Sequence, residues 1–328
     1  MERATDHSPL PSVSIVIEWD NVVLTDASRP RAMLAALRPQ LKAAGERIRS
    51  PIQLIAVHDE LEVSREAVER LLASELVEHG ADVEIELLST RGLRYYEQKN
   101  AGAAKATRDV VLFFDCDTIP QDGWLETLLD GFADPERQIV AGHTEVETSD
   151  FLARCFALFW FFDRRAPPEG ETRTFKANNV AFRRPLFETL RFPDSVGFRC
   201  SHLLLIDELA RRGIAIWLRP QARILHPRPR TLRAAAVRAV CQGHDQVIRL
   251  RQRGITRPGL WRKYAKARFR DEVRRSAQRI REEHAEVGLG RVGAAVAFVL
   301  ATTYHLLALA GALVTARDPE LVRRYLSL

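Results

Sequence analysis

Asp115 and Asp117 stand one residue apart, directly after the apolar run Val110-Val111-Leu112-Phe113-Phe114. In an extended or turning segment, two carboxylates at that spacing can share a divalent cation, directly or through water, while the cation also takes phosphate oxygens. A site built from oxygen ligands suits Mg²⁺ or Mn²⁺. Such a cation would neutralise the charge that builds on a departing diphosphate. The plain structural alternative is a loop carrying two solvated carboxylates. Two further groups bear on the same chemistry. Lys99 supplies positive charge, and His226 is an imidazole at the end of a strand candidate, followed by Pro227.

The elements that must position these groups alternate along the chain. Ser12 to Ile17 is a strand candidate rich in β-branched residues, and Ile52 to Val57, Val83 to Leu88 and Val110 to Phe114 are three more. Between them, helical spacing of Met33, Leu34, Leu37 and Leu41 predicts a helix from about Pro30 to Ala44. Val68, Leu71, Leu72 and Leu76 predict another from Ser64 to Glu78, and a third runs from Glu97 to Thr107. Alternation of this kind predicts an α/β fold with a mostly parallel central sheet and flanking helices. In such sheets ligands bind beyond the carboxyl ends of the strands, which directs attention to Glu18, Asp20 and Asn21, to His58, Asp59 and Glu60, and to Asp115 and Asp117.

Several other chemistries are disfavoured. The opening strand is followed by no GxGxxG, and there is no GxxxxGK[ST] phosphate loop. The four cysteines, Cys116, Cys155, Cys200 and Cys241, form no CxxC pair, so they read as reduced thiols and not as a zinc site or a disulfide framework.

Taken in order, Val13-Ser14-Ile15-Val16-Ile17, Val57-His58-Asp59, Lys99-Asn100-Ala101-Gly102, Leu112 to Pro120 and Gly123-Trp124-Leu125-Glu126 resemble the successive motifs of the family 2 glycosyltransferases. Asn178-Asn179-Val180-Ala181-Phe182-Arg183-Arg184 resembles the family's acceptor-side segment, and Ala222 to His226 its strand with a histidine near the diphosphate. The resemblance covers about residues 11 to 228 and implies a GT-A fold. It also implies that Asp59 contacts the nucleotide base or ribose and that Lys99 and Asn100 sit beside the nucleotide. Asp115 and Asp117 match the DxD pair, with Asp117 the catalytic member. His226 matches the histidine that approaches the metal or diphosphate, and Asn178 and Asn179 lie near the sugar or acceptor. The implied reaction moves a sugar from a nucleoside-diphosphate sugar to a lipid-linked or polysaccharide acceptor, with inversion, using Mg²⁺ or Mn²⁺.

One segment departs from the family pattern. Inverting members place an acidic pair about a dozen residues before Arg-Arg-Gly, where one carboxylate deprotonates the acceptor hydroxyl. Counting back from Arg211-Arg212-Gly213, that position holds Ser201-His202. An imidazole is suited to proton transfer, which makes His202 a candidate base. Asp207 and Glu208 are the competing carboxylates, and a non-catalytic nucleotide-binding or scaffold protein that retains the fold is the reading without a base.

Charge divides the chain further. Residues 228 to 281 carry 17 Arg or Lys against 3 Asp or Glu, whereas residues 1 to 227 are net acidic. A basic segment of this density predicts an anionic partner. Nucleic acid is disfavoured, because no zinc-finger spacing or nucleic-acid module accompanies the charge. An anionic membrane surface is favoured, because Val292 to Val314 then runs 23 residues without a formal charge, long enough to cross a bilayer or lie in it. The aromatic cluster Phe156 to Phe162 reads as core packing first and as part of an acceptor groove second. The expected organisation is a loose leader at 1–10, a GT-A domain at 11–228, a basic helical region at 229–290, an apolar transmembrane or monotopic helix at 291–316 and a short tail at 317–328. With no secretory signal and the basic side placed inward, the expected location is the inner face of the cytoplasmic membrane, with the catalytic domain in the cytoplasm.

Overall fold

The computed structural model describes residues 9–325 except 20, 23–27, 79–82, 161–163, 195–196, 199 and 256. The leader through residue 8, Asp20, and Phe161 and Phe162 of the aromatic cluster lie outside the described residues. The chain forms two compact units.

The first unit comprises residues 1–144, 166–192 and 205–226. It opens with β1 (Val13–Glu18), α1 (Ser28–Arg47), β2 (Ile52–Asp59), α2 (Arg65–Leu72), β3 (Val83–Thr90), α3 (Tyr95–Ala103) and β4 (Val110–Asp115). Each predicted strand and helix is present within a few residues. β1, β2 and β4 are buried along their whole length, as expected of strands covered on both faces. Ser64 caps α2, its side chain accepting from the Ala67 N–H, and the helix continues for one π turn over Ala73–Val77. Met33, Leu34, Leu37 and Leu41 of α1 pack with Ile15, Ile17, Leu112 and Phe114 in one core.

Downstream come β5 (Ile119–Pro120), α4 (Trp124–Asp130), β6 (Ile139–Val146), α5 (Phe151–Ala157), β7 (Gly170–Thr172), β8 (Asn179–Arg183), α6 (Arg184–Thr189), α7 (Ser201–Arg211) and β9 (Ile216–His226). The strand order is β3-β2-β1-β4-β8-β6-β9-β5, with β7 also on β9. This corrects the expectation of a mostly parallel sheet. β1 runs parallel to β2 and β4, and β2 to β3, but β8 is antiparallel to β4 and β6, while β5 and β7 are antiparallel to β9. The sheet is mixed. Only its first half follows the strand–helix alternation that requires parallel crossovers.

The second unit comprises residues 145–165, 193–204 and 227–328 and contains α5, α8 (Leu232–Gln252), α9 (Pro258–Glu283), α10 (Arg291–Arg317) and α11 (Pro319–Tyr325). Phe156, Phe159 and Trp160 are buried with Ala235, Ala239, Ile280, Ala301 and Tyr304, so the described aromatics of the cluster are core. The expected C-terminal membrane-associated helical region narrows to a single apolar helix. Among the described residues, α10 alone is long and apolar enough to cross a membrane, and α8 and α9 are polar helices packed on it. A Cβ on Gly243 would overlap the Ala308 carbonyl and one on Gly311 the Val240 carbonyl, so glycine permits the close approach of α8 and α10.

Candidate donor site at the carboxyl ends of the strands

β1 and β4 end side by side, with Glu18 paired to Asp115 in the parallel register. Asp115 is buried and fully engaged. Lys99 Nζ donates to its Oδ1 at 2.6 Å, the Tyr95 hydroxyl lies 2.9 and 2.8 Å from Oδ1 and Oδ2, and Asn21 Nδ2 donates to Oδ2 at 3.3 Å. Asn21 also donates to Glu18 Oε1 at 2.6 Å. Lys99 has no solvent exposure and adds a carbonyl contact to Phe114 at 3.3 Å. Tyr95 and Lys99 meet one carboxylate because they lie four residues apart, on one face of α3.

Asp117 follows on the turn after β4, buried at 4% exposure. Arg29, in the first turn of α1, donates from Nε to the Asp117 carbonyl at 2.7 Å and from Nη2 to the Leu225 carbonyl at 3.3 Å. Ile119 pairs with Leu225 in the β5–β9 ladder. These contacts hold the segment bearing Asp117 against the end of β9, where His226 stands buried. Cys116, between the two aspartates, points into the core, and burial followed by the charge of Glu18 pushes its thiol well above the ordinary range. It is an inert packing group.

The other predicted residues have defined partners. Asp59 Oδ1 accepts from the Leu61 N–H at 2.9 Å and Oδ2 from the Gly92 N–H at 2.7 Å, which fixes the loops after β2 and β3. Asn100 clamps the Phe192 backbone, donating to its carbonyl at 2.8 Å and accepting its N–H at 3.2 Å. Asn179 is fully buried. It accepts from Trp124 Nε1 at 2.8 Å and donates to the His143 and Ala222 carbonyls, both at 3.0 Å, which joins α4, β6, β8 and β9. Asn178 accepts from Thr144 Oγ1 at 3.3 Å.

His202 lies in the first turn of α7 and is half-buried. Of the competing carboxylates, Glu208 accepts from Arg211, the last residue of its own helix, and from Arg212 in the turn that follows, at 2.6 and 2.5 Å. The Arg211 bonds, then those of Arg212, hold its carboxyl below the usual range and make it a poor base. Tyr95 and Arg29 went unnoticed in the sequence. The spacing of Tyr95 and Lys99 was a usable signal for the first, whereas nothing local marks Arg29.

The donor set bears on which metal could bind. Among the described residues, no three of His, Cys, Asp and Glu gather as a metal-binding group. Both oxygens of Asp115 already accept hydrogen bonds, and Asp117 and His226 stand on neighbouring segments. That set fits a hard cation completed by phosphate oxygens and water, and not an all-protein cage.

A mixed sheet with this acidic turn beyond β4 defines a GT-A-like domain. Residues 35–191, just under half of the chain, match the family model described as "Glycosyl transferase family 2". The match includes Asp59, Lys99, Asn100, the Asp115–Asp117 turn, Asn178 and Asn179, and ends before His202 and His226. It supports the resemblance drawn from the ordered motifs. The chain is 42% identical over 74 residues to the pre-mycofactocin glycosyltransferases of two Mycobacterium tuberculosis strains, CDC 1551 / Oshkosh and ATCC 25618 / H37Rv. That alignment takes in 21% of this chain and spans 16% of those relatives. Among solved structures, the mannosyltransferase PcManGT from Pyrobaculum calidifontis, in complex with GDP-Man and Mn²⁺, is similar over 97% of this chain and 90% of that one. Its TM-score is 0.58 at 18% identity, a likeness of fold.

Proposed function

We propose that the protein transfers a sugar from a nucleoside-diphosphate sugar to a hydroxyl of a lipid-linked or polysaccharide acceptor, with inversion, at the inner face of the cytoplasmic membrane. The observation that carries this reading is the arrangement beyond β4. Lys99 and Tyr95 lock Asp115 in place, and Arg29 holds the Asp117 segment beside the end of β9. The PcManGT complex with GDP-Man and Mn²⁺ lends support by fold.

In this reading Asp117 and His226 would hold Mg²⁺ or Mn²⁺, and the cation would supply positive charge against the departing diphosphate. Asp115 orders the turn from within, and Asp59, Lys99, Asn100, Asn178 and Asn179 shape the walls of the donor and acceptor subsites. The acceptor oxygen bonds to the anomeric carbon as the bond from that carbon to the diphosphate oxygen breaks. The acceptor proton passes to a base, for which His202 is the residue the sequence offers, and the nucleoside diphosphate leaves with the bonding pair. The Arg-paired state of Glu208 favours His202 over that carboxylate as base.

A panel of nucleotide sugars with Mg²⁺ or Mn²⁺, assayed for sugar release and transfer, tests the proposal; metal-dependent turnover on one donor is the expected result. The segment at Ser201-His202 also favours a second reading, a nucleotide-binding protein without turnover. Metal-dependent binding with no release of sugar from any donor would select it.

A further inference from the structure

We infer that α10 lies in the plane of an anionic lipid surface, with one face in the headgroup layer, and does not cross the bilayer. This deepens the membrane location proposed above and rests on that part of the reading; sugar transfer is measured separately.

The two faces of α10 differ. Its buried positions are Gly293, Ala297, Ala301, Tyr304, His305, Ala308, Gly311, Ala312, Thr315 and Ala316, mostly small residues that bring its backbone onto α8. The opposite side is an exposed stripe through Val292, Ala295, Val299, Thr303, Leu306, Ala310 and Val314, at steps of three and four residues. Val292 is 80%, Val299 62% and Leu306 49% exposed. Steps of that size keep one helical face, and the stripe extends about 33 Å along the axis. An apolar surface this long and this open marks an interaction site.

Charge identifies the occupant. Arg291 and Arg317 are exposed at the two ends of α10. On α9, which packs along α10, Arg262, Lys266 and Arg270 form an exposed row at i, i+4 and i+8. An apolar stripe with an arginine at each end, on a helix packed against one that carries an exposed basic row, matches acyl chains beneath anionic headgroups. A second copy of this chain would instead bring the same positive charge against it.

The packing also decides between lying in the membrane and crossing it. Gly243 and Gly311 hold α8 against α10, and Ser276 of α9 is hydrogen-bonded to His305 at 3.0 Å. To cross, α10 would have to take these arginine-rich helices into the hydrocarbon, or leave its small-residue face behind unpacked.

Flotation of the full chain with phosphatidylcholine vesicles, with and without phosphatidylglycerol, tests the inference. The protein should float with the phosphatidylglycerol vesicles, lose binding as salt is raised, and be released by alkaline carbonate. Val299→Glu with Leu306→Glu should weaken binding roughly tenfold or more. Circular dichroism and turnover on a soluble acceptor, unchanged in the same variant, would establish that it folds. Lys266→Glu with Arg270→Glu should reduce the preference for phosphatidylglycerol. Equal flotation of the stripe variant, retention through carbonate, or a stripe-dependent dimer with no vesicle binding would each overturn the inference. Vesicle binding without sugar transfer would support it while removing the enzymatic reading.

Discussion

Lys99 Nζ lies 2.6 Å from Asp115 Oδ1, and neither side chain has appreciable contact with solvent. With the Tyr95 hydroxyl on the same carboxylate, the first aspartate of the acidic pair is an internal anchor for the turn, and the second is the one set beside the end of β9.

Removing one partner from a buried pair leaves an uncompensated charge. Lys99→Met should therefore destabilise the protein by about 3–5 kcal/mol, read as a shift in the denaturant midpoint. Lys99→Met combined with Asp115→Leu should recover part of that loss, because neither charge then remains buried alone. A double variant as unstable as the sum of the singles would argue against direct coupling.

Asn179→Ala should cost about 3 kcal/mol, since it strands the Trp124 indole N–H and two buried carbonyls at once. Thermal unfolding is the measurement. A change within experimental scatter would mean that water or a rotated neighbour replaces the amide.

Arg29→Ala should leave overall stability nearly unchanged and weaken binding of the nucleotide sugar roughly tenfold, because the Asp117 segment loses its tie to β9. Arg29→Lys should recover only part of the affinity, having one terminal nitrogen to span two carbonyls. Titration calorimetry with the donor and Mn²⁺ separates these outcomes.

His305 supplies a pH dependence. Burial, followed by the charges of Arg268 and Arg275, lowers its pKa to about 4 from an ordinary 6.5. Below pH 6.5 the unfolded chain takes up a proton that the folded chain refuses, so stability is fully present above 6.5. It falls as the pH drops towards 4, by about 3 kcal/mol over the whole window. His305→Gln should flatten that slope in a series of melts between pH 4 and 7. An unaltered slope would place the dependence elsewhere.

Much of the first half of the domain was legible in the sequence, because β1 to β4 are apolar runs separated by helices with clear periodicity. The antiparallel half was not. β5 has two residues and β7 three, too short for a pattern, and the direction of β8 is set by pairing of Phe114 with Asn179 and not by its own residues. At the site, Asp115, Asp117 and His226 stood out by type and position. Their partners did not, because Arg29 reaches Leu225 across 196 positions of chain. The apolar stretch after residue 291 was visible, but its division into a small packed face and an open stripe depends on where α8 and α9 lie.

Binding of a nucleotide sugar, with and without Mn²⁺, by the unaltered protein and by Asp117→Asn tests the central claim most directly. The arrangement at the strand ends predicts metal-dependent binding that Asp117→Asn loses by at least roughly tenfold. Equal binding by the two proteins, or binding indifferent to metal, would contradict it.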